Sequence, residues 1–503
     1  MKYAIAAGHS LTAEAAVEIL KAGGNAVDAA IAAFLVSWVA EPCMTGGGGG
    51  AFACLYTPTG QSFLFDFFCQ TPLKKRPVEE VEFFPVEVHF TDFTEIFHVG
   101  KGSSAVPGNV AGVFALHEHF GSLPMKELVQ PAIEHAKNGV VVNEFQRLDL
   151  ELLRNILELD ERAKEIFFAK GELVKVGETT HLPRLADFLD CLSREGRDLF
   201  YKGEIAQKIA ADYQASNGGY LTLADFENYE VIVRKPLTFN YKGNTILTNS
   251  LPSIGGSLIV LGLAHLGKLP VPTRHLSEQH FKQLLAVLGK FDRQSRHVED
   301  LFSALKDLFN FPANNQNGAS QKRGSTTHFN ILDQWGNAVA LTSSLGEGCG
   351  YFVESADIHL NNMLGESALL PNGFHSWQIN VRLSSMMAPT MVLDEEKQLK
   401  AVMGSGGASR IPSAILQVLH YLLDYNLPVK EAVNAPRVHV EHGIFNVEKG
   451  FQKPPSFPSI GNTMKEWSSK SLFFGGVHAI VRENDSLTTA GDERRDGVVR
   501  VGG

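Results

Sequence analysis

The sequence has no apolar run long enough to cross a bilayer. The longest, Ala26 to Ala40, is interrupted by Asp28 and bounded by Glu41 and Pro42, whereas a span needs ~20 predominantly apolar residues. It reads as a buried helix, and no membrane partner is expected. Basic clustering is also lacking. The formal net charge is -10 and the pI is near 6.0, which leaves no electrostatic footprint for nucleic acid or an anionic surface. Cysteine is sparse: Cys43, Cys54, Cys69, Cys191 and Cys349 are odd in number and show no C-x-x-C spacing. That argues against a disulfide framework and against a zinc site. His9, His328, His359 and the other histidines lack H-E-x-x-H spacing, so no metal is expected. The first residues, MKYAIAAGHS, lack a charged segment, a long apolar stretch and a small-residue cleavage site in series, so the expected location is the cytoplasm. What these absences leave is a small-molecule partner.

With 503 residues, 44% of them hydrophobic, the chain buries a large core and is long for a single one. TAEAAVEILKAGG predicts a helix stopped by Gly23-Gly24, and Asn25 with Asp28 three residues on predicts the N-terminus of the next. Five glycines, Gly46 to Gly50, then lead into a strand. They lack the G-x-x-x-x-G-K-[ST] pattern of a phosphate loop and precede a strand instead of a helix. Close approach of the backbone to another element is the better reading. Val106 to about Asp225 reads as mainly helical, and the stretch GGYLTLADFENYEVIVRKPLTFNYKGNTILTNS as strands. LPSIGGSLIVLGLAHL is an apolar helix after a Gly-Gly turn. Asp307 to Arg323 is the most loop-like segment, and strands dominate beyond it. Helices mixed with antiparallel hairpins predict layered α/β packing with antiparallel sheets, and no solenoid repeat is present.

GSTTHFNILDQWGNAVALTSS, Gly324 to Ser344, is a hairpin with an unusual start. Centring its turn on Trp335 places Thr326 opposite Ser344 and His328 opposite Thr342. Cross-strand hydroxyls are sufficiently explained as stabilisers of the hairpin. A Ser-His-Asp site using His328 and Asp333 is disfavoured, because there is no G-x-S-x-G elbow and the histidine shares a strand with its supposed partners. A third reading uses the polar loop upstream. A cut between Ser325 and Thr326 would give one residue both a hydroxyl nucleophile and a free α-amine, whose usual pKa of about 7.7 to 8.0 suits a general base.

Segments in family order over nearly the whole chain then point one way: AAVEILKAGGNAVDAA, EPCMTGGGGGAF, AVPGNVAG, LVQPAIEHAKNG, GGYLTLADFENY, SIGG, GSTTHFNILDQWGNAVALT, LNNML, SSMMAPT, GSGGASRIP, FGGVHAI and GDERRDG. The sequence resembles the γ-glutamyltransferases (glutathione hydrolases), N-terminal-nucleophile hydrolases made as self-cleaving proenzymes. The resemblance implies a four-layer αββα sandwich with antiparallel sheets, interleaving a large subunit, 1–325, with a small one, 326–503, of the same precursor. It implies Thr326 as nucleophile, Ser344 and Thr342 as its neighbouring hydroxyl residues, and Gly407 and Ala408 as backbone donors of an oxyanion hole, where Ala is tolerable because the donor is the main chain. Ser384 and Ser385 match the serine pair that grips the carboxylate end of the substrate, a small-molecule amide, and Glu366 matches an Asp that binds its α-amine.

Departures from the family pattern bear on the substrate. The arginine that clamps a γ-glutamyl carboxylate is matched by Phe68, a Gln by Met363 and an Asn by Gly346. Phe cannot pair bidentately with a carboxylate as a guanidinium does. Arg382, or the run Lys74 to Arg76, is the candidate replacement. Three functions are therefore carried forward: a γ-glutamyl amide hydrolase or transferase, an acylase for a different amide, and a non-catalytic small-molecule-binding relative.

Overall fold

A computed structural model of the chain describes residues 2–90, 93–309, 325–370, 373–453, 463–483 and 486–503. Most of the polar segment Asp307 to Arg323 lies outside the described residues. Two antiparallel sheets form the centre. In spatial order the first contains Ile232–Arg234, Ser62–Phe67, Gly50–Tyr56, Ala338–Gly346, Ser325–Leu332, Tyr3–Ala7 and Val498–Gly502. The second contains Leu237–Tyr241, Asn244–Thr248, Thr390–Leu393, Leu399–Gly406, Gly476–Glu483 and Ser486–Ala490. Both sheets take strands from either side of residue 325.

Alternation along Ser325–Leu332 explains the layering, since successive strand side chains point to opposite faces. Phe329 and Ile331 join the core beneath the helices Ser10–Lys21 and Ala26–Ala40. Thr326, His328 and Asn330 point to the second sheet. There, a Cβ on Gly404 would lie 2.2 Å from the His328 ring and one on Gly406 2.1 Å from the Thr326 carbonyl oxygen. Glycine at alternate positions of Leu399–Gly406 thus lets the two sheets meet around these polar residues. Outside the second sheet lie the helices Gly255–Leu266, Glu278–Arg296 and Ile411–Asp424. The result is the αββα sandwich.

The predicted caps form: Asn25 and Asp28 make a reciprocal capping box at Ala26–Ala40. The helical reading of Val106 to Asp225 holds, with Asn109–Phe120, Met125–Asn138 and Pro183–Glu195 as its longer helices. One stretch read as strand is helix instead. Leu223–Glu227 turns helical because Thr222 and Asp225 cap each other, a local signal stronger than the alternation around it.

The glycine run behaves as close packing. A Cβ on Gly48 would stand 2.2 Å from the His359 carbonyl oxygen, on Gly49 2.5 Å from that of Ser344, and on Gly50 2.6 Å from the Cys69 nitrogen. None of Gly46 to Gly50 has a positive φ, so crowding, not backbone freedom, requires glycine. Gly49→Ala is expected to destabilise the fold by about 1–3 kcal/mol through overpacking against the strand that carries Ser344. A urea midpoint equal to that of the wild type would contradict this.

Candidate active site

The hairpin has the register expected from its turn: Thr326 pairs with Ser344 and His328 with Thr342. Asp333 fixes the turn by accepting from the amides of Trp335 and Asn337, and it also accepts from Ala26 N at 2.9 Å, the first turn of the buried helix. That carboxylate is committed to structure. His328 is bonded to the Thr342 hydroxyl through Nδ1 at 2.8 Å and to Asn330 through Nε2 at 2.9 Å, and burial lowers its pKa to about 3. No Ser-His-Asp relay is assembled. Thr342 serves His328, two pairs along from Thr326 on the same face.

The bond between Ser325 and Thr326 is held at several points. The Ser344 hydroxyl donates to the Ser325 carbonyl at 2.6 Å and accepts from Gly346 N at 2.9 Å. The Ser325 hydroxyl donates to Glu347 Oε2 at 2.8 Å. Arg495 Nη1 donates to the Thr326 carbonyl at 3.2 Å. The ladder register shifts between Ser325 and Thr326, an irregularity of the kind that re-aims a side chain beside a functional site. Thr326 itself is only 3% exposed. On the opposite face, Thr327 donates to Glu41 Oε1 at 2.6 Å and Thr12 to Glu41 Oε2 at 2.9 Å.

Glu41, Asp149 and Glu347 all feel the charge of Arg495, and burial raises the pKa of all three, Asp149 to about 7 and Glu347 to about 8. The guanidinium opposes the rise in each, while Glu95 and Asp149 add to it at Glu347. A carboxyl group whose folded pKa exceeds its ordinary 4.5 keeps a proton that the unfolded chain releases. Stability is therefore withdrawn as pH rises from the unfolded value toward the folded one. Glu347→Gln, a mimic of the protonated acid, is expected to be near neutral at about pH 4 and increasingly stabilising up to about pH 8. Thermal midpoints across that range check this, and a stabilisation greatest at low pH would contradict it.

The residues expected on the substrate side fall into three groups. Gly407, at φ 116°, and Ala408, at φ 46°, are successive left-handed residues at the end of Leu399–Gly406, next to Gly406 and its contact with Thr326. Alanine in that region costs about 1–2 kcal/mol, a strain of the sort found at functional loops. Glu366 lies against the same turn as Ser344: a Cβ on Gly346 would be 2.1 Å from Glu366 Oε1. Burial, Glu347 and Glu95 raise the Glu366 pKa, and Oε1 has no partner among the described residues. Ser385 is fixed through its carbonyl, which accepts from Ile254 N and the Ser253 hydroxyl. The Ser384 hydroxyl is buried without a partner among the described residues.

Phe68 is a core side chain, 1% exposed and stacked on Phe52 at 5.4 Å. Its carbonyl receives Arg382, whose guanidinium also donates to Tyr229 Oη and the Glu230 carbonyl and lies 3.4 Å from Asp66. Arg382 is thus engaged, and it does not supply an open carboxylate clamp. Arg76 pairs with Glu80 and bonds the Tyr213 carbonyl, while Lys75 bonds the His375 carbonyl and lies over Trp377.

Sequence reasoning missed Glu41, Glu347, Gly406 and Arg495. EPC, GSGGAS and GDERRDG were noticed as segments, but nothing in their spacing says which side chain reaches Thr326. In GDERRDG the two arginines diverge: Arg494 joins Asp492 and Glu448 in a buried ion network, with Arg437 also on Asp492, and Arg495 turns to the Thr326 carbonyl.

Comparison with known proteins bears on family and fold. A protein of Escherichia coli (strain K12) named "Glutathione hydrolase proenzyme" is 30% identical, covering 89% of this chain and 83% of that protein. "Acylase ACY 1 proenzyme" of Pseudomonas sp. (strain SE83) is 28% identical, covering 98% and 92%. The cephalosporin acylase structure from Bacillus halodurans superposes with a TM-score of 0.81 at 24% identity, covering 99% of this chain and 95% of that one, a likeness of fold. Residues 12–300 and 276–502 match the family described as Gamma-glutamyltranspeptidase, and the chain belongs to that family.

Proposed function

We propose that this chain is a self-cleaving N-terminal-threonine amidohydrolase, divided between Ser325 and Thr326 into parts 1–325 and 326–503 that remain one sandwich. The observation that carries the reading is the grip on that peptide bond, with its carbonyl on the Ser344 hydroxyl at 2.6 Å. In maturation, Thr326 Oγ adds to the Ser325 carbonyl carbon, the C–N bond breaks, and the Oγ proton ends on the released α-amine. Water then hydrolyses the ester, leaving a Ser325 carboxylate and a free Thr326. In turnover, Thr326 Oγ adds to a substrate amide and its own α-amine takes the proton. The N–H groups of Gly407 and Ala408 receive the oxyanion. The amine returns the proton to the departing nitrogen, and water or an acceptor amine resolves the acyl-enzyme. No cofactor enters these steps.

For the substrate, the engaged Arg382 and the buried Phe68 ring favour an amide whose acyl part carries no carboxylate at the clamp position. A γ-glutamyl amide is the second reading, favoured by Glu366 and by Ser384 and Ser385 at their family positions. Chromogenic anilides with γ-glutamyl and with uncharged acyl groups separate the two. A higher kcat/KM on uncharged acyl anilides is expected, and a preference for the γ-glutamyl compound would reverse the order.

A further inference from the structure

We propose that Glu347 is a positioning residue for maturation: it holds the side chain of Ser325 and thereby fixes the acyl side of the bond that Thr326 attacks. The proposal rests on the self-cleavage reading above. Ser325 is held at two points by groups three residues apart, its carbonyl by Ser344 Oγ at 2.6 Å and its hydroxyl by Glu347 Oε2 at 2.8 Å. One contact leaves the residue free to rotate about it, whereas two fix the plane of the scissile peptide. A reacting carbonyl must be held near 3–3.5 Å from its nucleophile and aligned with it, and a misplacement of about 1 Å costs roughly 100-fold in rate.

The support is itself rigid. Glu347 N donates to Asn362 Oδ1 at 2.8 Å, and the Glu347 side chain is buried, the residue being 3% exposed. Between the two gripping residues, Gly346 has φ 66°, and its missing Cβ leaves room for Asn362 Oδ1 and Glu366 Oε1, each 2.1 Å from where a Cβ would stand. That turn brings Ser344 and Glu347 to bear on the same residue. Glu95, Asp149, Glu366 and Arg495 are the charged neighbours of the Glu347 carboxyl group. The contact joins the last residue of one product to the other product, beside the bond that is cut.

Cleavage is followed by pulse-labelled cell-free synthesis of the full chain, for wild type, Glu347→Ala, Glu347→Gln, Ser325→Ala and the double variant Ser325→Ala/Glu347→Ala. Glu347→Ala and Ser325→Ala are each expected to slow the cut roughly 10- to 100-fold, and the double variant to be no slower than the slower single. Glu347→Gln, which keeps an acceptor oxygen for the hydroxyl, is expected to restore the rate to within about threefold of wild type. A residue needed only for folding would instead slow the cut further in the Ser325→Ala background, and multiplied effects overturn the proposal. So does wild-type cleavage by Glu347→Ala, with the self-cleavage reading left intact. A wild-type chain that never cuts overturns both.

Discussion

Thr326→Ala is expected to remain a single chain of 503 residues, with amide hydrolysis lowered by ~10⁴-fold or more on every acyl anilide. The substitution removes the hydroxyl of the residue that the cut would leave N-terminal, and leaves the strand pairing and the Gly406 contact untouched. Folding should therefore be close to wild type, and a thermal midpoint within a few degrees shows that the loss is chemical. Thr326→Ser keeps a hydroxyl and is expected to cut, more slowly because the methyl group that restricts χ1 is gone. Cleavage of Thr326→Ala at the wild-type rate would remove Thr326 from the account altogether.

Arg495→Met is expected to be the most destabilising change near the site, by about 3–5 kcal/mol near pH 8. It leaves the Thr326 carbonyl without this donor and Glu41, Asp149 and Glu347 without the guanidinium that opposes their raised pKa values. The sign with pH follows from those shifts. Without Arg495 the folded-state pKa values rise further, so the deficit opens as pH climbs through the wild-type folded values, about 7 for Asp149 and about 8 for Glu347. At about pH 5 Asp149 and Glu347 are largely protonated in the folded chain, and the loss should shrink. Urea unfolding at both pH values measures it, and a loss independent of pH would show that Arg495 acts through packing alone.

Much of this was legible in the sequence for a physical reason. Strand alternation and a compact turn fix a hairpin register completely, so Thr326 facing Ser344 followed from the position of Trp335. Caps are equally local, and Asn25 with Asp28 announced their helix. The glycine run was readable as crowding because no phosphate-loop pattern accompanied it. Long-range approach was not readable. Arg495 reaches Thr326 across 169 residues, and Glu41 reaches Thr327 across 286, with no periodicity to announce either. Phe68 shows the limit most clearly. The missing guanidinium was visible in the sequence, but only the fold reveals that the ring packs on Phe52 and that Arg382 is engaged by Asp66, Tyr229 and backbone carbonyls. Phe68→Arg would therefore bury a charge in the core, a heavier disturbance than a restored clamp.

The cut before Thr326 is what would join nucleophile and base in one residue. Intact mass of the purified full chain, followed by N-terminal sequencing of its smaller component, tests it directly. Two species are predicted, of 325 and 178 of the 503 residues, the smaller beginning Thr-Thr-His-Phe-Asn. A single species at 54.9 kDa after prolonged incubation, or a smaller fragment beginning anywhere other than Thr326, would contradict it.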